Sequence, residues 1–194
     1  MVDLPENAAL NPFEILLDYE RRSLAHVAGL PEQLDAPGLW RAIAYRLGDA
    51  FLVSDISEVN EILMFPQITA VPGTKAWMLG IANVRGNLVT VVHLRGFLEG
   101  EPFRVNERTR VLVVRLASGS VGLVVDEVLG QRSFVDENMR DIEVYADSPV
   151  SRFLESEYRQ GQSSWGVFSM NALMRAPDFM QAAAEKVEEI MNPQ

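Results

Sequence analysis

The sequence predicts a mainly β protein made of two small barrels, with one helix toward each end of the chain. Two series of short apolar runs rich in β-branched residues precede and follow the charged, turn-rich segment 96–108. Helical spacing of apolar residues is found toward the two termini. The 194 residues are enough for one domain, or for two small subdomains, with a real core.

Composition excludes several classes of function. The formal net charge of −10 disfavours a nucleic-acid backbone or an anionic membrane surface as the main partner, because both require a cationic face. The chain has no cysteine, which excludes a disulfide framework, a thiolate metal site and a cysteine nucleophile. No apolar run approaches the roughly 20 residues of a membrane helix, and the first residues lack a secretory signal pattern. We therefore expect a cytoplasmic protein without direct membrane insertion.

Residues 1–38 are predicted to form an N-terminal extension that carries one amphipathic helix. Asn11 is a suitable N-cap, Pro12 suits the first helical position, and Gly29 ends the helix. The apolar positions that share one side at helical spacing are Phe13, Leu16, Leu17, Leu24 and Val27. This apolar face either packs on the protein's own β domain or docks a partner.

The first barrel is predicted over residues 39–98. Its first hairpin joins the runs LWRAIAYRL and AFLVS through a Gly48-Asp49 turn. Residues 59–64 form a third predicted strand, which ends before a proline. A second hairpin completes this barrel.

That second, central hairpin is the stretch around which the barrel is organised, and its two apolar runs meet at the turn Arg85-Gly86-Asn87. Asn83 and Arg85 are polar groups that an apolar hairpin would not choose for its own stability. Gly80 and Gly86 indicate a backbone that bends or approaches another chain segment closely. Arg85 is either a solvated residue at the tip or an interface anchor, because a guanidinium forms planar contacts through several donors.

The second barrel is predicted over residues 105–170. The runs TRVLVVRL and SVGLVVDEVLG form one hairpin, and the runs FLESEY and WGVFS form another. A C-terminal helix is expected over residues 176–194, with Pro177 near its start. Its apolar stripe consists of Phe179, Ala183, Val187, Ile190 and Met191.

We find no pattern that predicts catalysis, a metal or a cofactor. His26 and His93 have no second ligand at metal spacing, and His93 is expected to be a half-buried strand histidine bonded to backbone. Phosphate-binding loops, dinucleotide fingerprints and nucleophile elbows are missing from the sequence. The residues alone therefore offer no nucleophile with a recognisable activating base.

Three motifs occur in the order and at the spacing found in one family of signalling proteins. The first is I-x-N-x-R-G-x-x-V-x-V-V-x-L-R, from Ile81 to Arg95; VNEIL lies upstream of it at 59–63, and VGLVVDEVLG lies downstream at 121–130. Together they resemble CheW-like adaptor domains over roughly residues 39–175. The N-terminal extension and the run WMLGIANVRGNL are most similar to the family members of type IV pilus chemosensory systems.

This resemblance implies both a fold and a function. The fold is two five-stranded barrels of the SH3 or OB type. The function is that of a non-enzymatic adaptor, which joins the cytoplasmic tip of a methyl-accepting chemoreceptor to the regulatory domain of a CheA-like histidine kinase. Such an adaptor works in the cytoplasm, at membrane-associated chemosensory arrays, and here it would control twitching motility.

The resemblance also implies which residues contact the partners. Arg85 is tied to the coupling of receptor and kinase, Glu61 and Val59 lie on contact surfaces, Gly80 lies near the receptor groove, and Asn83 belongs to the same motif. Without the family, core packing for Val59, a strand-edge charge for Glu61 and a turn requirement for Gly80 are equally good explanations.

One alternative function stays open at this point. A β-barrel of this size could bind a small molecule, or act as an enzyme, in the groove between its halves. The discriminating feature would be a cluster of perturbed ionisable groups in that groove, for which the sequence offers Arg85, Glu61 and His93. His93 stands where the family usually has an aspartate.

Overall fold

The computed structural model describes Phe13, Leu16, residues 39–116 and residues 119–181, with Leu116 described through its backbone alone. Phe13 and Leu16 are helical and exposed. The rest of the predicted N-terminal helix, and the predicted C-terminal helix beyond residue 181, lie outside the described residues. The chain divides into residues 1–37 and 38–194, and the strands that the structure describes belong to the second unit.

Eleven strands and three short helices are described. The strands are β1 Leu39–Leu47, β2 Ala50–Asp55, β3 Val59–Met64, β4 Met78–Val84, β5 Asn87–His93, β6 Arg110–Leu116, β7 Gly119–Val125, β8 Glu127–Val135, β9 Met139–Arg140, β10 Leu154–Gln160 and β11 Ser163–Phe168. The helices are α1 Leu94–Glu99, α2 Met170–Arg175 and α3 Pro177–Met180, and the segments Asp136–Asn138 and Pro149–Phe153 are 3₁₀ turns. The predicted mainly β architecture is confirmed.

The strands form two sheets. Sheet A has the order β8-β1-β2-β11-β10-β9, and sheet B has the order β3-β6-β7-β5-β4. All four predicted hairpins are present as the antiparallel pairs β1–β2, β4–β5, β6–β7 and β10–β11. Each sheet also contains one parallel pair, β2 with β11 in sheet A and β5 with β7 in sheet B.

The predicted internal boundary at residues 96–108 does not separate the two sheets. Sheet B consists of consecutive strands between Val59 and Val125, and sheet A takes its strands from both sides of that segment. Sheet B is thus nested within sheet A, so the predicted barrels at 39–98 and 105–170 are wrong. The error has a physical cause: β1 and β2 pair with the distant strands β8 and β11, whereas a sequence reading assigns strands to their neighbours along the chain.

Alternating side chains of sheet B build two different cores. On β7, Val124 enters a cluster of small β-branched side chains inside sheet B, whereas its neighbour Leu123 enters the large cluster that both sheets share. Sheet A has its own interior, which includes Ala42, Ala44 and Trp165. Because sheet B is packed on both faces, its strands are rigid supports for the loops that join them.

Gly80 occupies a distorted position in β4. The pairing with β5 shifts register between Met78 and Gly80, which is typical of a β-bulge. The segment before β4 pairs with β4 next to this bulge: Thr69 N donates to Ile81 O at 2.8 Å, and Ile81 N donates to Thr69 O at 2.9 Å. Gly80 has a φ of +140°, and a Cβ there would overlap the Thr69 carbonyl and lie 2.7 Å from Ile68 Cγ2. Only glycine fits this close approach.

Candidate functional site

The turn between β4 and β5 holds Arg85 in an unusual backbone conformation. Arg85 and Gly86 have φ values of +50° and +85°, the pattern that a two-residue type I′ hairpin turn requires. Arg85 is the one non-glycine residue with a positive φ in the described part of the chain. The Asn83 Oδ1 accepts a hydrogen bond from Gly86 N at 2.8 Å, which closes the turn from the side chain.

Arg85 forms an ion pair with Glu61. The Arg85 Nη2 lies 2.7 Å from the Glu61 Oε1. Glu61 is on β3, at the opposite edge of sheet B from β4, so the pair joins the two ends of the curled sheet. A register shift between Val59 and Glu61 places Asn60 in a bulge beside the pair.

The ion pair contributes little to the free energy of folding. The Arg85 side chain is 79% exposed and that of Glu61 is 20% exposed. Exposed pairs of this kind stabilise a protein by about 1 kcal/mol or less. The Glu61 Oε1 is buried and accepts no well-aligned hydrogen bond from any described residue, so Arg85 is its partner. Most of the Arg85 guanidinium donors remain directed to solvent and are available to a second molecule.

Two depressions meet beside this pair. The first, which we call the hairpin depression, has a volume of about 300 Å³ and is lined by Glu61, Arg85, Asn87, Val113 and Ser120, among others. The second, which we call the α2 groove, has a volume of about 560 Å³ and is lined by Glu58, Val114, Met170, Met174 and Arg175, among others. Asn60 and Arg115 line both depressions, so the two form one continuous surface.

The structure brings together some of the predicted contact residues and separates others. Arg85 and Glu61 are in direct contact, and Asn83 lies in the same turn with its side-chain oxygen bonded to backbone. Val59 is half-buried and packs against the cluster shared by the sheets. Gly80 is buried at the β4 bulge, where the close backbone approach explains the residue. Direct contact of these five residues with a partner stays a prediction.

Arg115 was not predicted from the sequence as a site residue. It is exposed and stands on β6, in the apolar run VLVVRL, where it is paired with Ser120 of β7. A charged residue at an outward position of an apolar strand is a usable signal, because alternation places it on the surface. Arg115 lies at the junction of the two depressions, which only the folded structure shows.

His93 lies away from Arg85 and Glu61. It is 6% exposed at the end of β5, and its ring makes an edge contact with Phe103 at a centroid distance of 5.1 Å. Burial holds the pKa of His93 below its usual value, and Arg95 adds to this effect, whereas Asp126 and the Glu101 backbone oppose it. His93 lines a depression of about 460 Å³ that contains neither Arg85 nor Glu61.

Glu58 is an acidic residue in the wall of the α2 groove. Burial raises the pKa of its carboxyl, and the nearby carboxylates of Asp55 and Glu155 act in the same direction. The Glu58 Oε1 accepts a hydrogen bond from Asn171 N at 3.3 Å, which holds the first turn of α2. This position gives Glu58 a structural role in the groove wall.

Within 39–116 and 119–181, no three histidine or acidic side chains are grouped closely enough to hold a metal ion. None of the described helices has the length and apolar character needed to cross a membrane.

We expect Asn83→Ala to weaken partner binding by releasing Arg85 rather than by removing a contact. The Asn83 Oδ1 holds the turn in which Arg85 keeps a positive φ, and its loss costs about 1 kcal/mol of turn stability. Asn83→Asp keeps an oxygen acceptor and should retain most of the binding. The measurement is affinity in both the wild-type and the Arg85→Ala backgrounds. A further loss from Asn83→Ala when Arg85 is already absent would contradict this indirect role.

The nested barrels and the arginine-bearing hairpin define a two-barrel domain with SH3-like subdomains. The chain belongs to the CheW-like domain family, whose model matches residues 41–178. Protein PilI of Pseudomonas aeruginosa is 36% identical over 172 residues, which cover 89% of this chain and 96% of that protein.

Two further relatives have a smaller overlap. The probable chemotaxis protein CheW of Rhizobium etli is 31% identical over 120 residues, 61% of this chain and 74% of that protein. The crystal structure of the scaffolding protein TtCheW from Thermoanaerobacter tengcongensis superposes with a TM-score of 0.62 at 20% identity, covering 72% of this chain and 94% of the other. This likeness supports the two-barrel fold.

Proposed function

We propose that this protein is a non-enzymatic signalling adaptor that couples methyl-accepting chemoreceptors to a CheA-like histidine kinase. The observation that carries the proposal is the Arg85–Glu61 pair on an exposed hairpin, in a chain that belongs to the CheW-like family. The pair adds little to stability, so a role in binding explains an arginine at this turn better than a role in folding does. The hairpin presents an exposed guanidinium, the group that most often anchors a polar interface.

The fold suits an adaptor in physical terms. A coupling protein needs a rigid body with separate faces for its partners, and two closely packed barrels provide such a body. We assign the cytoplasmic tip of the receptor and the kinase regulatory domain as the two partners. Arg85, Glu61 and Val59 belong to the contact surface, and Asn83 and Gly80 hold the hairpin that presents it.

The similarity to Protein PilI supports a more specific role. The aligned region covers 89% of this chain and 96% of that protein. We assign the protein to a type IV pilus chemosensory system that controls twitching motility. Its place is the cytoplasm, at membrane-associated arrays that it reaches through its partners.

Reconstitution of the three components tests the coupling function. The full chain, a kinase regulatory domain and a receptor signalling hairpin from one chemosensory system are combined and separated by size-exclusion chromatography. We expect the kinase domain and the receptor hairpin to elute together only when the adaptor is present, because the adaptor supplies both binding faces. An unrelated two-barrel protein of similar charge is the control. If the folded adaptor fails to bind one or both partners, the proposal is refuted.

A further inference from the structure

Asp126 is the single residue between β7 of sheet B and β8 of sheet A. Its side chain and its backbone both contact the first hairpin of sheet A. The Asp126 Oδ2 accepts a hydrogen bond from Gly48 N at 2.6 Å and lies 3.9 Å from Arg46 Nη1, and the Asp126 N–H donates to Arg46 O at 3.1 Å. These contacts hold the β1–β2 turn at the point where the chain passes from one sheet to the other.

His93 lies beside this junction, at the end of β5 in sheet B. It is the register partner of Val124 in the parallel pair of β5 and β7, and Asp126 follows Val124 by two residues. His93 and Asp126 line the same depression of about 460 Å³, and the charge of Asp126 acts on the imidazole. A change of charge on the ring is therefore felt by the carboxylate that holds the turn.

The His93 ring has a fixed orientation. A ring N–H donates to the Glu101 carbonyl. A Cβ on Gly96 would lie 2.6 Å from His93 Nδ1 and 3.2 Å from Glu101 O, so the ring and the carbonyl meet where Gly96 leaves no side chain between them. This geometry assigns the N–H to Nδ1, which leaves Nε2 as the nitrogen that takes up a second proton.

Charged groups surround His93 on several elements. Those of β1, α1, the segment after α1 and the β7–β8 connection that line its depression are Arg46, Arg95, Glu101, Arg104 and Asp126. Burial lowers the pKa of His93 and Arg95 adds to this effect, whereas Asp126 and Glu101 raise it, and burial prevails. Arg95 is itself paired with Glu99 Oε2 at 2.8 Å. The ring is therefore uncharged at neutral pH.

We propose that His93 is a pH-sensitive switch at the junction of the two sheets: a second proton on its ring draws the Asp126 carboxylate away from Gly48 N and loosens the β1–β2 turn. The new Nε2 proton competes with the Gly48 N–H for the same carboxylate, and opposite charges attract more strongly in a partly buried site than in water. Acidification thus loosens the joint between the sheets and leaves the core of each sheet unchanged. The switch needs no partner, so it does not depend on the proposed adaptor function.

Nuclear magnetic resonance of the full chain tests the coupling. The His93 ring protons and the Gly48 amide are followed between about pH 5 and about pH 8, the range in which histidine titrates. Two variants are compared with the wild type. His93→Asn keeps an N–H donor near the Nδ1 position and does not titrate, and His26→Asn removes the other histidine of the chain.

We expect the Gly48 amide to shift with the same midpoint as the His93 ring, because the amide reports the bond to Asp126. This step should be present in the wild type and in His26→Asn, and it should be missing in His93→Asn. Melting curves at neutral pH verify that the variants are folded.

Urea denaturation at the same pH values measures the effect on stability. In the unfolded chain the ring has its usual pKa of about 6.5, above that of the folded protein, so the unfolded chain binds more protons as the pH falls through this range. The stabilisation is complete above that value and is lost below it. From about pH 7.5 to about pH 5.5, the unfolding constant of the wild type should rise about threefold more than that of His93→Asn.

Three results would overturn this inference. They are a Gly48 step that persists in His93→Asn, a His93 ring that titrates without any change at Gly48, and equal pH dependence of unfolding in the wild type and His93→Asn. The adaptor function stands in each case, because it is tested separately by partner binding.

Discussion

Gly80→Ala is expected to destabilise the protein by about 3 kcal/mol or more. An alanine at a φ of +140° is strained by about 1–3 kcal/mol, and its Cβ would overlap the Thr69 carbonyl, which adds a packing cost of similar size. The measurement is the free energy of unfolding from urea denaturation. The loss arises because the segment that pairs with Ile81 must move away from β4.

Gly86→Ala is the matched control for this substitution. Gly86 has a φ of +85°, but a Cβ at that position meets no atom within 4 Å. Its cost should therefore be the backbone strain alone, about 1 kcal/mol. If both substitutions destabilise the protein equally, the close approach of Thr69 to Gly80 does not constrain the fold.

Arg85→Glu is expected to abolish tight partner binding while leaving the fold intact. Truncation of an arginine anchor typically costs about 2 kcal/mol or more, a loss of about thirtyfold in affinity, and charge reversal should cost further. Stability should change by less than about 1 kcal/mol, because the side chain is 79% exposed. Titrations against the kinase regulatory domain and the receptor hairpin, with melting curves, measure both effects.

A charge swap separates the two possible roles of the ion pair. Arg85→Glu combined with Glu61→Arg restores a pair of opposite charges at the same positions. If Arg85 contacts the partner directly, the swapped protein should still bind weakly, and Arg85→Lys should bind with intermediate affinity, since a point charge does not replace a planar fork. Unchanged affinity of Arg85→Glu for both partners would leave Arg85 as a solvated turn residue.

The hairpins were predictable because their signals are local. A glycine beside a polar residue between two apolar runs, as at Gly48-Asp49 and Arg85-Gly86, specifies a tight turn through backbone conformation alone. The pairing of neighbouring strands follows from the turn. The assignment of strands to sheets does not, since β1 contacts β8 through residues that are far apart in sequence, and apolar alternation does not say which strand is the neighbour.

The candidate site was predictable in part. The resemblance named both Arg85 and Glu61, and the structure places their charged groups 2.7 Å apart. Gly80 was recognised as a point of close backbone approach, but only the folded chain shows that Thr69 is the segment that approaches it. Arg115 was missed because its position beside the α2 groove depends on β6 and α2, which line the same groove but are distant in sequence.

The nesting of sheet B within sheet A has a consequence for synthesis of the chain. The hairpin β1–β2 leaves the ribosome before the other described strands, yet its Ser54 hydroxyl donates to the Phe168 carbonyl, 114 residues later, at 2.7 Å. At roughly 10 residues per second, translation separates these partners by about ten seconds. Sheet B, made of consecutive strands, is complete well before then and brings the two ends of its segment together, which shortens the loop that sheet A must close. Until β11 arrives, β2 presents an open edge, so the nascent chain depends on sheet B to limit the time during which that edge is exposed to other chains.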